Sequence, residues 1–470
     1  MLVMKFGGSS VGDAKCFAQV VQIVQEAYAK DREIVVVVSA MSGVTNKLIA
    51  CAQAAARGEH ETYQNIKAEL LSRHLETVAA LELDPKTRLD VCGLIEDRLY
   101  DLERWCRSVA ILRELTPRGL DLISSLGERL SVAMLAGALS TAGLKSRSVE
   151  ATALIVTDDN FGEATPLMDE TQEKVQAILV PMLKRGCIPV VTGFMAATRE
   201  GVITTLGRGG SDYTAAILGA ALKADEIQIW TDVDGILTAD PRIVPEARTL
   251  PEVTFREAAE LSYFGAKVLH PKTVMPAAEL GIPLRIVNTF NHQHPGTLLV
   301  HTLSSGDSAA KAVTQIKDLS LITVEGRGML GVPGIAARTF AAVARQGVNV
   351  LMISQSSSEQ NICFVVPAAR SQAVLSSLRQ ELELEIARRN VERISSVDDV
   401  AIMAVVGAGM CRTPGVAGRI FTALGAEGIN VLAVAQGSSE CNLSVVISRQ
   451  DADNATRAIH RDVLMPVRSE

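Results

Sequence analysis

The chain has 470 residues, too many for one ordinary domain of roughly 100–200 residues, and its 48% hydrophobic and 21% charged content excludes disorder and allows sizeable cores. With 46 Lys and Arg against 53 Asp and Glu, the net charge is −7, which excludes the basic stripe of a nucleic-acid binder but not a locally positive pocket for phosphates. Eight cysteines fall in no C-x-x-C or metal spacing, no signal peptide opens the sequence, and the strongest apolar run, Ile34–Met41, falls far short of the ~20 residues of a membrane span; a reduced, cytoplasmic protein with no membrane segment and no metal site of its own is expected.

Residues 2–6 are a short apolar run ending in glycines, 15–29 show helical spacing, and 34–38 (IVVVV) read as a fully buried strand. Strand, glycine loop, helix, strand is a βαβ opening and predicts an α/β fold with a largely parallel sheet. From about 48 to 145 strand signal is scarce, and segments such as 61–83 and 86–115 predict a helical layer. Strand-like runs return at 152–156, 188–192, 202–205, 227–230 and 284–287, with helices such as 211–223 and 256–262 between them. The small polar stretch 301–311 marks the main domain boundary. Beyond it, the sequence from Gly326 repeats without a gap from Gly407, 81 residues later, with nearly half the aligned positions identical. Each copy reads strand, glycine turn, helix, strand, polar turn, strand, a duplicated α+β module.

Several loops carry candidate chemistry. Lys5 lies near the end of the first strand, before Gly7-Gly8-Ser9-Ser10 and a helix. Glycine amides, a helix N-terminus and a lysine point charge suit a phosphate, and the same pattern also makes a plain βα turn; no Walker A sequence occurs. The loop 39–46 places the hydroxyls of Ser39 and Thr45 after a strand, where open α/β sheets bind ligands, although ordinary polar loops look alike. In Thr205-Leu206-Gly207-Arg208-Gly209-Gly210-Ser211-Asp212, helix capping accounts for Ser211 and Asp212 but not for Arg208, whose guanidinium suits a carboxylate or phosphate. Thr231, Asp232 and Asp234, followed by Asp240-Pro241-Arg242, fit Mg²⁺ or a nucleotide and equally a D-G turn. Lys267 reads as a phosphate ligand or a solvated lysine, His270 as a turn residue, and His292-x-His294 as too isolated for a metal. Glu128, on an apolar helix, either forms a salt bridge, the reading its neighbours favour, or binds a ligand amine. Gly326-x-Gly328-x-x-Gly331 imitates a dinucleotide fingerprint but lacks an acid in 348–354, and its second copy loses the third glycine.

Taken in order, KFGGSSV, VVVVSAMSGVTN, LGERLS, TLGRGGSDYTA, IWTDVDGILTADPR and ELSYFGAKVLHP resemble the aspartate kinase family over nearly the whole chain, and the repeat resembles its paired ACT regulatory domains. The resemblance implies an amino acid kinase fold, a mainly parallel sheet between helices, over 1–305. ACT domains, α+β and ferredoxin-like, would follow at 312–392 and 393–470, the strand near 313–316 belonging with the second. It further implies phosphorylation of the L-aspartate β-carboxylate by MgATP, the committed step toward lysine, threonine and methionine. A homoserine dehydrogenase domain would need several hundred more residues, so a monofunctional enzyme is expected.

By position, Lys5, Arg208 and Asp212 would be catalytic, and Ser39, Thr45, Glu128, Arg208 and Ser211 would form the aspartate pocket, Arg208 clamping a carboxylate and Glu128 meeting the α-amino group. Lys5, Gly7, Gly8, Thr231, Asp232, Arg242 and Lys267 would contact ATP. Met329, Asn349, Ile353, Gln355, Asn430, Val434 and Gln436 would bind an effector, and the ISQSSSEQN and VAQGSSECN segments are more similar to threonine-sensitive than to lysine-sensitive members. A homodimer or homotetramer through the ACT domains is implied. The sequence departs from the family at Ser9, commonly threonine, and at Leu237, where many members carry an aromatic beside the adenine.

Overall fold

The computed structural model describes residues 1–30, 33–265, 269–303, 309–330, 332–356, 360–437 and 441–465. The chain divides into two compact units: Met1–Ile236 with Pro251–Phe255 and Val268–Thr302, and Leu237–Leu250 with Arg256–Lys267 and Leu303–Glu470.

The strands of the first unit are β1 (Leu2–Phe6), β2 (Ile34–Val38), β3 (Ser146–Val149), β4 (Val156–Thr157), β5 (Ile188–Thr192), β6 (Met195–Thr198), β7 (Ile203–Thr205), β8 (Glu226–Thr231), β9 (Glu252–Thr254), β10 (Leu284–Asn288) and β11 (Thr297–Val300). Eight of them form one sheet in the order β3-β5-β2-β1-β8-β10-β11-β9, parallel throughout except between β10 and β11. Parallel strands covered on both faces are apolar without alternation, and all five residues of β2 are accordingly buried. Register places Lys5 beside Val37, and Phe6 between Val38 and Trp230, so the carboxyl ends of β1, β2 and β8 open at one edge.

Helices Val44–Arg57, His60–Ala80, Pro85–Leu112, Pro117–Ser124 and Leu126–Thr141 form the expected helical layer. Two of them start in the manner their sequences dictate. Asp84 and Thr116 each accept a backbone N–H from three residues on, at 3.1 Å, and a proline follows each cap. The stretch Pro117–Thr141 is long and apolar enough to cross a membrane, but 94% of its most apolar window is buried within the protein, as in a core helix. The strand expected at 152–156 is largely absent. Its start is a 3-10 turn, Ala151–Ala153, and only Val156–Thr157 pairs, in a small sheet ordered β4-β6-β7. A short apolar run reports burial and not secondary structure.

In the second unit, β12 (Ala312–Glu325), β13 (Met352–Gln355), β14 (Asn361–Pro367), β15 (Arg393–Val406), β16 (Val431–Ala435) and β17 (Asn442–Ser448) form one antiparallel sheet, β13-β14-β12-β15-β17-β16. The repeat is legible in it, because helices Ile335–Arg345 and Val416–Ala426 follow the matching glycine turns. The two 14-residue strands at the centre break register at Asp318 and Asp399, both at positive φ and 81 positions apart. Ala312–Ile316 therefore pairs with Ile402–Val406, and Leu321–Glu325 with Arg393–Val397.

Candidate active site

A cavity of about 420 Å³ lies beyond the carboxyl ends of β1 and β2. It brings together Lys5, Gly8, Ser39, Thr45, Glu128, Arg208, Ser211 and Asp212. Lys5 Nζ lies 2.5 Å from Asp212 Oδ1, both side chains being largely buried. An ammonium held by one carboxylate is oriented yet keeps donors for an incoming anion.

Ser211 and Asp212 are not caps. Gly209, at φ 72°, precedes the helix Gly210–Leu222, so the two residues stand inside its first turn, and the helix N-terminus points at the cavity. After the first glycine loop, Gly8 leads into a 3-10 turn, Ser9–Val11, and the helix expected at 15–29 follows as Ala14–Lys30. Gly7 does not line the cavity, and its N–H donates to Trp230 O at 3.0 Å.

Glu128 makes no ion pair among the described residues, against the salt bridge its neighbours suggest. Oε1 accepts the Ala40 N–H at 3.1 Å, and Oε2 is buried with no hydrogen-bond partner among the described residues. Burial pushes this carboxyl up to about 8, against the opposing pull of the Ala40 N–H and the Lys5 charge. The contact depends on Gly127, where a Cβ would stand 2.6 Å from Ala40 Cβ. Arg208 is exposed at the rim, between Gly207 at φ 74° and Gly209, and forms no ion pair among the described residues. Left-handed backbone on both sides is what glycine permits.

Phe194, which the sequence did not single out, also lines the cavity, at φ 68°. Arg73 was missed as well. Its guanidinium donates to Ser42 O at 2.8 Å and Gly12 O at 3.0 Å, stapling the loops that follow β1 and β2. A lone arginine on a charged helix carries no local signal for this.

The remaining positions are placed apart from this cavity. Thr231 ends β8, beside β1, with Asp232 next to it, and neither lines the cavity. Asp234 Oδ1 accepts the amides of Asn288 at 2.8 Å and Asn291 at 3.0 Å. Arg242 belongs to the second unit and pairs with Asp240 at 2.6 Å, which holds the Asp240 carboxyl below its ordinary range. Lys267 lies outside the described residues. In the second unit, Met329 and Gln355 line a separate cavity of about 300 Å³ with Pro333, Gly334 and Ile362; Asn349, Ile353, Asn430, Val434 and Gln436 are exposed and do not line it. Two glycines of the false fingerprint serve packing, since a Cβ on Gly326 would meet Asn390 O at 2.1 Å and one on Gly328 would meet Asn390 Cα at 2.6 Å; Gly331 lies outside the described residues.

Residues 1–288 match the amino acid kinase family, and 322–382 and 403–463 each match an ACT domain. Aspartokinase 3, chloroplastic, of Arabidopsis thaliana is 34% identical over 466 residues, 97% of this chain and 80% of its own length. The bifunctional aspartokinase/homoserine dehydrogenase 1 of Arabidopsis thaliana is 36% identical over 97% of this chain, and that of Haemophilus influenzae 34% over 98%. The chain spans about half the length of these bifunctional relatives, 50% and 56%. Among solved structures, E. coli aspartokinase III in complex with lysine and aspartate has a TM-score of 0.80 at 29% identity, covering 99% of this chain and 100% of its own. The same enzyme with aspartate and ADP gives 0.77 at 30% identity, with the same coverage.

Proposed function

The chain belongs to the aspartokinase family, and from that premise we propose that it transfers the terminal phosphoryl group of ATP to the β-carboxylate of L-aspartate, giving 4-phospho-L-aspartate and ADP. The observation that carries this reading is the shared cavity of the Lys5–Asp212 pair, Glu128 and Arg208.

An aspartate side chain, with an ordinary pKa near ~3.9, is already a nucleophile at neutral pH and needs no general base. The barrier is mutual repulsion of two anions, so the chemistry asks for alignment and positive charge. Arg208 clamps a substrate carboxylate, Ser39, Thr45 and Ser211 complete the pocket, and the free Oε2 of Glu128 receives the α-ammonium. Lys5, steadied by Asp212, bridges the attacking carboxylate and the phosphates, and the amides near Gly8 and at the start of Gly210–Leu222 add partial positive charge.

ATP extends toward Thr231 and Asp232 at the end of β8, with Gly7 and the cations Arg242 and Lys267 assigned to it by position. The exposed Asp232 carboxylate suits Mg²⁺, which when bound neutralises phosphate charge. Among the described residues no three His, Cys, Asp or Glu cluster as a metal site, so the ion is assigned to the nucleotide.

The 1–305 segment is the catalytic domain in this reading, with regulatory domains at 312–392 and 393–470, interleaved through the strand near 313–316; the pairing of that strand with Ile402–Val406 supports this. The regulatory domains assemble a homodimer or homotetramer and bind a feedback amino acid at Gln355 and Gln436, threonine being favoured by the ISQSSSEQN and VAQGSSECN sequences. A lysine effector is the second reading, favoured by the lysine-bound E. coli structure. The free thiols described, seven in all, suit the reducing cytoplasm.

The test is incubation with aspartate, MgATP and hydroxylamine, where aspartyl hydroxamate is expected. Trapping with glutamate alone would select another amino acid kinase. No turnover with retained threonine or lysine binding would select a non-catalytic sensor.

A further inference from the structure

We propose that Asp121 is the positioning residue that anchors the 205–212 loop and thereby aims Arg208 at the substrate carboxylate, an inference that rests on the assignment of Arg208 given above.

Asp121 lies in the helix Pro117–Ser124, only 2% exposed, and forms no ion pair among the described residues. Burying a carboxylate without a counter-ion is costly unless hydrogen bonds replace its water. Here three do. Oδ2 accepts the Gly162 N–H at 2.9 Å and the Thr205 N–H at 3.0 Å, and Oδ1 accepts the Thr205 hydroxyl at 2.8 Å. An apolar residue would fill the space at less cost, so the acid is explained by what it joins. It ties a core helix to the loop at 162 and to the last residue of β7.

Thr205 is where order hands over to freedom. Its carbonyl accepts the Ala164 N–H at 2.9 Å, and the next amide, Leu206, donates to Phe194 O at 2.9 Å. From Gly207 the chain turns through left-handed glycines, so the direction of Arg208 follows from the anchor before it. The second tie works from below. A Cβ on Gly207 would stand 3.2 Å from Gly162 O, so the residue that Asp121 holds through its N–H also lies under Gly207 through its carbonyl.

The experiment is a double-mutant cycle in the full chain with Asp121→Ala and Arg208→Ala, measuring KM for aspartate and for ATP. Arg208→Ala should raise KM for aspartate. Asp121→Ala should raise it about tenfold while leaving KM for ATP within about twofold, and the double variant should be no worse than Arg208→Ala alone. Asp121→Asn should restore near-normal KM, because its oxygen can take both N–H groups while its NH₂ donates to the Thr205 hydroxyl. If Asp121→Ala does not fold, Thr205→Val removes one of the three bonds and should show the same non-additivity at smaller size. Additive effects, equal damage to both KM values, or an Asn variant as poor as Ala would overturn the proposal. An Arg208→Ala variant with unchanged KM for aspartate would overturn the substrate assignment, and this inference with it.

Discussion

With Glu128 assigned to the substrate ammonium as proposed above, its buried carboxyl should make aspartate binding depend on pH in a calculable way. With its pKa pushed up to about 8, the side chain is mostly protonated at neutral pH in the ligand-free protein. Only the carboxylate can pair with an α-ammonium, and the substrate amine stays protonated through this range. A group with that pKa is about 9% ionised at pH 7.0 and about half ionised at pH 8.0, so the binding-competent fraction rises about fivefold. KM for aspartate should therefore fall about fivefold across that unit, at saturating MgATP, in a coupled assay of ADP release. Glu128→Gln should have a high KM with no such slope. A wild-type KM that is flat from pH 6.5 to 8.5, or a Gln variant that keeps the slope, would refute the reasoning. Folding stability provides a second readout. The unfolded carboxyl ionises from its ordinary 4.5 while the folded one resists until about 8, so stability is lost as pH rises between those values, by at most ~1.4 kcal/mol per unit. The Gln variant should lose that dependence.

Other perturbations have definite outcomes. Lys5→Ala should lower kcat by orders of magnitude while the circular dichroism of the fold survives, because it removes the only buried cation of the pocket among the described residues. Gly127→Val should destabilise by about 1–3 kcal/mol on thermal melting and raise KM for aspartate, since its Cβ would press on Ala40, whose N–H holds Glu128. Gln355→Ala should weaken end-product inhibition and leave uninhibited kcat intact in titrations with threonine and lysine.

The lining of the cavity was legible in part because two glycine loops at strand ends carry a cation. The lysine before two glycines fits a plain βα turn as well, but the arginine between glycines is not explained by capping, and Lys5 and Arg208 line one cavity. Burial was the harder inference. Glu128 read as half of a salt bridge because sequence shows charge but not partners, and its Oε1 instead accepts a backbone amide 88 positions away. Asp121 and Arg73 escaped notice for the same reason, since each acts on main-chain atoms of distant loops. Strand lengths were read best where every residue was β-branched and buried, as at 34–38, and worst at 152–156, where a mixed apolar run bends into a turn.

The repeat also has a mechanical corollary. Because β12 and β15 each run through both halves of their sheet, neither copy owns a complete set of strands. Cutting the chain between the copies would strip from each the half-strand at its flank, 393–397 from the first and 312–316 from the second, so a single repeat expressed alone would be left with an open edge and prone to swap with a neighbour. A twist set up in one copy by the effector proposed above would run down two shared girders into the other, so that the duplicated modules would answer as a single instrument with two keys.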